Sequence, residues 1–328
     1  MGKLRVAVIG VGHIGRFHAQ KYHAMDRVDL CYLCDVNQKR VEPLAQSLSA
    51  QVITDYRELV GQVDAVSITV PTLLHFEVAS YFLQHNIHVL LEKPMTATLD
   101  EADKLTEMAA QSKAILQIGH LERFNQVIQG VASQLDQPRF IESSRLSTFH
   151  LRGTDVNVVL DLMIHDIDII QSLVRSKVSR IAANGAAVLT PYIDIANARI
   201  EFENGCVANV TASRISAKIE RSMRIFQHDG FFVLNFKDKS LVQHKKGDKE
   251  MYPGIPELVR TGQSFSSGDA LLSQAEAFVD AILEGKPVVV SPEDGRLALK
   301  TAIDITQIVR QSDDWRLLAK KHQSEAID

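Results

Sequence analysis

The chain has 328 residues, 45% hydrophobic and 23% charged, with 36 basic against 40 acidic side chains for a net charge of −4. That length exceeds what one core usually fills, roughly 250–300 residues, so two domains are expected. With no basic tail or stripe and no apolar run near the roughly 18 residues that cross a bilayer, neither nucleic acid nor membrane is an expected partner.

A first strand beginning by residue 4 leaves no room for a signal peptide, and Val6 stands where a myristoylation site needs Ser or Thr. Three cysteines suit a reducing compartment, so the chain reads as cytoplasmic. Leu4 to Ile9 is an apolar run of the buried-strand type that leads straight into Gly10-Val11-Gly12-His13-Ile14-Gly15. Between a strand and a helix this spacing is a dinucleotide fingerprint. The first glycine allows the tight turn, the second leaves room for a pyrophosphate, and the third lets the helix pack on the sheet. The helix that starts here aims unpaired N–H groups and its positive dipole end at the phosphates.

Asp35 closes a second apolar strand, Val28 to Cys34, 20 residues after Gly15. Its carboxylate can accept both ribose hydroxyls and repels a 2′-phosphate, so NAD is expected over NADP. Lys39 and Arg40 are near enough to soften that preference. Cys31 and Cys34 fit C-x-x-C, but residues three apart in a strand face opposite ways, so both are expected to be buried small hydrophobes.

Strands near 63–69, 87–91 and 115–118 then alternate with helical segments near 14–24, 37–49, 73–85 and 98–112. That rhythm predicts an α/β Rossmann domain, a parallel doubly wound sheet, over 1–122. Glu92-Lys93-Pro94 follows the strand at 87–91, at the carboxyl end where open α/β sheets bind ligands. Lys93 there is either a donor to a substrate oxygen or a surface lysine paired with Glu92, and Pro94 is a candidate for a cis bond.

From 123 to 328 the pattern becomes that of an α+β domain with a large open, mostly antiparallel sheet. Phe140 to Phe149 reads as a strand and Val156 to Val174 as one long helical stretch. Alternation through Ala196, Ala198, Ile200 and Phe202 turns at Asn204-Gly205 and returns through Cys206, Ala208, Val210 and Ala212. Asp229-Gly230 predicts a second hairpin before Phe232, and Lys245 to Glu250 reads as a solvated turn. Helices return near 269–284 and 292–311, the latter opened by Ser291-Pro292-Glu293-Asp294 with an N-cap serine.

Asp161 and His165, four apart, share one helix face. His165 suits proton exchange near neutral pH, and Asp161 suits orienting it or holding a hydroxyl; a purely structural pair is the other reading. Metal-ligand spacing is lacking, so no metal is expected.

Together the glycine loop, Asp35, Glu92-Lys93-Pro94 and Asp161/His165 resemble the Gfo/Idh/MocA oxidoreductase family. Val70-Pro71-Thr72 followed by His75, Arg123-Phe124-Asn125 and Ser291-Pro292-Glu293-Asp294-Gly295 extend the resemblance over the chain. It implies a catalytic set of Lys93, Asp161 and His165. It implies cofactor contacts from Gly10, Gly12, His13, Ile14, Gly15, Asp35, Arg40, Val70, Pro71, Thr72, His75, Glu92 and Lys93. Substrate contacts are implied from Arg123, Asn125 and Arg152 besides the catalytic set. A homodimer or homotetramer through the second sheet is also implied.

Many relatives carry a glycine-rich run where this chain has Val156 to Leu160, so its substrate side is expected to differ from that of inositol or glucose enzymes. Leu160 to Asp168 is similar to a branch acting on nucleotide-linked amino sugars, the UDP-N-acetylglucosamine 3-dehydrogenases. For a diphosphate-bearing substrate the available cations are Arg123, Arg145, Arg152 and Arg214. The implied reaction is NAD-dependent oxidation of a secondary sugar hydroxyl, the 3-hydroxyl of UDP-N-acetylglucosamine in lipopolysaccharide (lipid A) precursor synthesis. A free sugar or inositol dehydrogenase, a redox-neutral NAD-retaining enzyme and a non-catalytic NAD-sensing regulator are the alternatives.

Overall fold

The computed structural model describes residues 2–150, 156–265 and 268–311. In chain order the first elements are β1 (Leu4–Ile9), α1 (Gly15–His23), β2 (Val28–Cys34), α2 (Gln38–Ser47), β3 (Gln51–Ile53), β4 (Ala65–Ile68), α3 (His75–Gln84), β5 (His88–Glu92), α4 (Leu99–Gln111) and β6 (Leu116–Gly119). Then follow α5 (Gln126–Ala132), β7 (Phe140–Leu146), a π-helical turn (Val159–Met163), α6 (Ile164–Val174), β8 (Val178–Ala186), β9 (Ile195–Phe202) and β10 (Val207–Ser213). The chain continues through β11 (Glu220–Gln227), β12 (Gly230–Asn235), β13 (Ser240–Tyr252), β14 (Ile255–Ser264), α7 (Ala270–Glu284) and α8 (Pro292–Gln311). Among the described residues no helix is long and apolar enough to cross a membrane.

Contacts gather these elements into two compact units, one of Met1–Phe124 with Asp269–Leu299, the other of Asn125–Gly268 with Lys300–Asp328. The expectation put everything after 122 in the second domain, whereas 269–299 packs with the first. The reason lies on α7. Its Ala275, Phe278 and Val279 join Tyr22, Val28 and Leu30 in one buried cluster, and Arg27 binds Asp280 at 2.5 Å and Glu284 at 2.7 Å.

The first unit is a six-stranded sheet in the order β3-β2-β1-β4-β5-β6, parallel throughout. Its central strands β1, β4 and β5 are buried on both faces over most of their length, which is why they read as apolar runs instead of alternating ones. β3 escaped the sequence reading because it has three residues, none of them fully buried.

The second unit is an eight-stranded sheet, β14-β13-β12-β11-β7-β10-β9-β8, antiparallel except where β7 runs beside β10. Along β9 and β10 the alternation holds as expected, with Ala196, Ala198, Ile200, Phe202, Ala208, Val210 and Ala212 all buried. Three local expectations change. Gln227 pairs with Gly230, so the tight turn consists of His228 and Asp229, and Gly230 already lies in the ladder. Lys245 to Glu250 lies within β13, in a long exposed hairpin with β14 whose register shifts between Lys246 and Glu250. Backbone pairing and a bulge hold that charged stretch extended, and the turn comes later, at Gly254 with φ +75°. Finally, Val156 to Val174 is divided between the π turn and α6.

The second unit also buries ions. Arg145 on β7 grips Asp166 on α6 with two hydrogen bonds, Nε to Oδ2 at 3.0 Å and Nη2 to Oδ1 at 2.9 Å. Their side chains are only 4% and 1% exposed. Removing one partner of such a pair leaves an uncompensated buried charge, which costs about 3–5 kcal/mol, while an apolar pair of similar volume is close to neutral. Arg145→Met should therefore lose about 3–5 kcal/mol in urea unfolding, and Arg145→Met/Asp166→Leu should regain most of it. Equal losses in both variants would contradict this account of the pair.

Candidate active site

In the first unit the strand order reverses between β1 and β4, and sheets of this kind bind ligands beyond the carboxyl ends at that point. Gly10 leaves β1 with φ +85°, and a Cβ there would lie 2.7 Å from the Val70 nitrogen and 2.8 Å from the Thr69 carbonyl carbon. A Cβ at Gly15 would collide with the Gly10 carbonyl. Both positions thus need glycine because backbone approaches backbone. Gly12 is different, since a Cβ there would meet nothing within 4 Å. The fold does not require glycine at that place, which fits a loop shaped for a pyrophosphate. α1 begins directly after Ile14, with no side-chain cap bond on its first N–H groups, the arrangement that suits a phosphate. His13 lies exposed in the loop, its ring edge-on to Phe17 at 5.4 Å.

Asp35 follows β2 with its carboxylate nearly buried. It accepts the Val11 N–H at 2.8 Å, the Asn37 N–H at 2.9 Å and the Arg40 guanidinium at 2.6 Å. Asn37 caps α2 by accepting the Arg40 N–H at 3.2 Å, which holds that arginine at the acid. The Arg40 cation is thus a direct partner of Asp35, closer than its sequence position alone required.

Val70, Pro71 and Thr72 follow β4, where a short 3-10 turn leads into α3. His75, buried at the start of α3, has Nε2 3.0 Å from the Val70 carbonyl and Nδ1 2.9 Å from the Pro94 carbonyl. Burial pushes its imidazole below the usual range despite these two acceptors. A neutral ring donates to one of them, and the contacts tie the Val70 loop to the turn after Lys93.

Glu92 ends β5, and the Lys93–Pro94 peptide is cis. Burial alone would raise the Glu92 carboxyl, but the hydrogen bond from His18 and the charge and amide of Lys93 hold it below the usual carboxylate range. The glycine loop, Asp35, Val70 to Thr72, His75 and Glu92-Lys93 all stand at the carboxyl ends of β1, β2, β4 and β5. The first unit therefore gathers every cofactor position read from the sequence at one sheet edge.

In the second unit Asp161 lies in the π turn and His165 is the second residue of α6, both half-buried. A π turn bonds i to i+5, so a spacing of four no longer sets a shared face by itself. Such turns recur at functional sites. Asn157 begins this turn by accepting the Val159 and Leu160 N–H groups, both at 3.0 Å.

The arginines offered for a diphosphate are engaged within the protein. Arg145 is held by Asp166 as described. Arg214, 6% exposed, lies 3.5 Å from Asp194 and donates to the Ile193 and Val156 carbonyls. Arg123 sits 3.6 Å from Asp294. Asn125, expected at the substrate, caps α5 by accepting the Val127 N–H at 3.1 Å. Arg152 lies outside the described residues.

Cys34 is buried, which pushes its thiol up to about 12, while Cys31 is only half-buried, contrary to expectation, and gives its S–H to the Asp29 carbonyl. Among the described residues no group of three His, Cys, Asp or Glu side chains could hold a metal ion. The sequence reading missed His18, Tyr22 and Ser67, which bond to one another between α1 and β4. A histidine on the inward face of α1, three residues after Gly15, was the available signal.

The model of the oxidoreductase family with an NAD-binding Rossmann fold, Gfo/Idh/MocA, matches residues 4–120, and the C-terminal domain model of that family matches 127–233. The chain is 37% identical over 303 residues to UDP-N-acetylglucosamine 3-dehydrogenase of Acidithiobacillus ferrooxidans, covering 92% of this chain and 96% of that one. A solved structure of that enzyme superposes with a TM-score of 0.88 over 94% of this chain and 98% of its own. Myo-inositol 2-dehydrogenase of Thermotoga maritima is 25% identical over 323 residues, 90% of this chain and 93% of its own. The fold is shared with scyllo-inositol dehydrogenase of Lactobacillus casei, solved with NAD(H) and scyllo-inositol, at 19% identity and a TM-score of 0.79 over 94% and 97% of the two chains. With both family models matched in order and a site edge built for a dinucleotide, the chain belongs to the Gfo/Idh/MocA family, as an NAD-binding oxidoreductase that acts on CH–OH groups.

Proposed function

We propose that this chain oxidises the 3-hydroxyl of UDP-N-acetylglucosamine, a reaction that belongs to lipopolysaccharide (lipid A) precursor synthesis. One observation carries the reading: 37% identity over 92% of the chain to an enzyme named for that reaction, against 22–26% for inositol dehydrogenases. The proposed catalytic set is Lys93, Asp161 and His165. His165 accepts the hydroxyl proton, and Lys93 donates to the oxygen as negative charge develops on it. Asp161 orients the imidazole or holds a neighbouring hydroxyl. NAD, when bound, supplies the hydride acceptor. It would be held by Gly10, Gly12, His13, Ile14 and Gly15 at the pyrophosphate and by Asp35 and Arg40 at the adenosine ribose. Val70, Pro71, Thr72, His75, Glu92 and Lys93 complete that cofactor edge. Arg123, Asn125 and Arg152 remain proposed substrate contacts, although the bonds of Arg123 and Asn125 give them a structural role as well.

We also propose a cytoplasmic homodimer or homotetramer built on the second sheet. Phe140, Phe226, Phe231 and His244 form a half-buried ring ladder across its strands, and Leu258 and Val259 stand exposed on the edge strand β14. Such a surface favours pairing over solvent.

General-base catalysis is worth about 10²–10⁴-fold, so His165→Asn should lower turnover by about that factor while the NAD dissociation constant stays unchanged. Near-wild-type turnover would remove His165 from the mechanism. A bond to a charged acceptor is worth about 1.5–3 kcal/mol, so Asp35→Ser should raise the NADP-to-NAD ratio of kcat/KM by roughly tenfold to a hundredfold. An unchanged ratio would separate Asp35 from cofactor choice. NADH formation followed with UDP-N-acetylglucosamine, free N-acetylglucosamine and myo-inositol tests the substrate. The nucleotide sugar should be preferred, and faster turnover of the inositol would favour the reading carried by the Thermotoga relative.

A further inference from the structure

His18 is a fully buried histidine at the site edge to which the mechanism gives no part. Its Nε2 lies 3.2 Å from Glu92 Oε1 and its Nδ1 lies 3.0 Å from Ser67 Oγ, which is in turn 3.0 Å from the Tyr22 hydroxyl. Glu92 Oε2 accepts the backbone N–H of Lys93 at 3.3 Å. Directions follow from chemistry. An ionised carboxylate only accepts, so Nε2 of His18 donates to it. With the ring neutral, Nδ1 accepts from the Ser67 hydroxyl, whose oxygen accepts from Tyr22. Burial raises the Tyr22 phenol well above its usual value, so it keeps the proton it donates. In that arrangement the donors run one way, from Tyr22 through Ser67 and His18 to Glu92.

The carboxylate is confined from its other side as well. At Gly119, which ends β6, a Cβ would lie 2.7 Å from Glu92 Oε1 and 3.0 Å from its Cδ, so only glycine leaves room. The charged and titratable groups acting on this cluster are Lys93, His75 and Tyr22, and the lysine and the carboxylate stabilise each other's charge.

We propose that His18 is a positioning residue for Lys93, acting through the Glu92 carboxylate. Glu92 holds the Lys93 amide and faces its charge, and His18 fixes where that carboxylate stands. The inference rests on the proposed role of Lys93 in the reaction, and its test separates the two. His18→Asn keeps an acceptor at the Nδ1 place for Ser67 and loses the reach to Glu92. His18→Gln keeps an amide N–H near the Nε2 place.

Single-turnover NADH formation with UDP-N-acetylglucosamine should be compared for wild type, both His18 variants, Lys93→Met and His18→Asn/Lys93→Met. Small misplacements of a reacting group cost up to about 10²-fold, so His18→Asn should be slowed roughly 10- to 100-fold with the KM for NAD little changed. His18→Gln should stay within about threefold of wild type, and adding His18→Asn to Lys93→Met should cost nothing more. Three results would overturn the proposal: a His18→Asn rate close to wild type, a His18→Gln rate as low as that of His18→Asn, or losses that multiply in the double variant. A wild-type rate in Lys93→Met alone would instead remove the catalytic role of Lys93. A His18→Asn loss that persisted in that background would show that His18 does not act through the lysine.

Discussion

The cofactor half of this protein depends on one close approach, that of the chain leaving β1 to the chain leaving β4. Gly10 turns there with its hydrogen toward Thr69 and Val70, and Gly15 returns α1 against the Gly10 carbonyl. Any side chain at either point would push the loop off the sheet. That would also displace the Val11 N–H from Asp35, to which it donates at 2.8 Å. The Val70 carbonyl, fixed by the same approach, and the Pro94 carbonyl flank the buried His75 ring, which donates to one of them. Steric exclusion at two glycines is thus carried by a hydrogen bond to the acid beside β2 and, across the buried His75 ring, by close packing to the turn after β5.

The second unit is organised by buried charge. Arg145–Asp166 clamps α6 to β7. Asp194 takes the Val188, Leu189 and Thr190 N–H groups along with the Thr190 hydroxyl, while Arg214 spans the neighbouring carbonyls. Such pairs add little net stability over apolar packing, but losing one partner strands the other as an uncompensated buried charge. Here the clamped residue directly follows His165, so the first pair fixes the start of the helix that carries the proposed base.

Much of the fold was legible because its signals are local. The glycine spacing, the apolar runs of β1, β2 and β5 and the alternation of β9 and β10 each follow from a few neighbouring residues. The capping of α8 was legible too, since Ser291 and Asp294 bond reciprocally as their spacing implies. What escaped depends on partners far away in sequence. Nothing near Arg145 or Arg214 announces Asp166 or Asp194, so both arginines looked free for a phosphate. The charged stretch from Lys245 to Glu250 is extended because β14 pairs along it and β12 pairs at its start. The π turn before His165 has no compositional mark at all. His18 sits in a helix of mixed polarity, and its value appears only once Ser67 and Glu92, 49 and 74 residues away, are brought to it.

The proposed reaction removes a hydride from C3 of UDP-N-acetylglucosamine. The most direct measurement uses that sugar nucleotide deuterated at C3, with unlabelled NAD, and mass analysis of the NADH formed. Transfer from C3 should leave the deuterium on the NADH and make its formation slower than with unlabelled sugar. Unlabelled NADH, or label retained at C3 of the product, would contradict it.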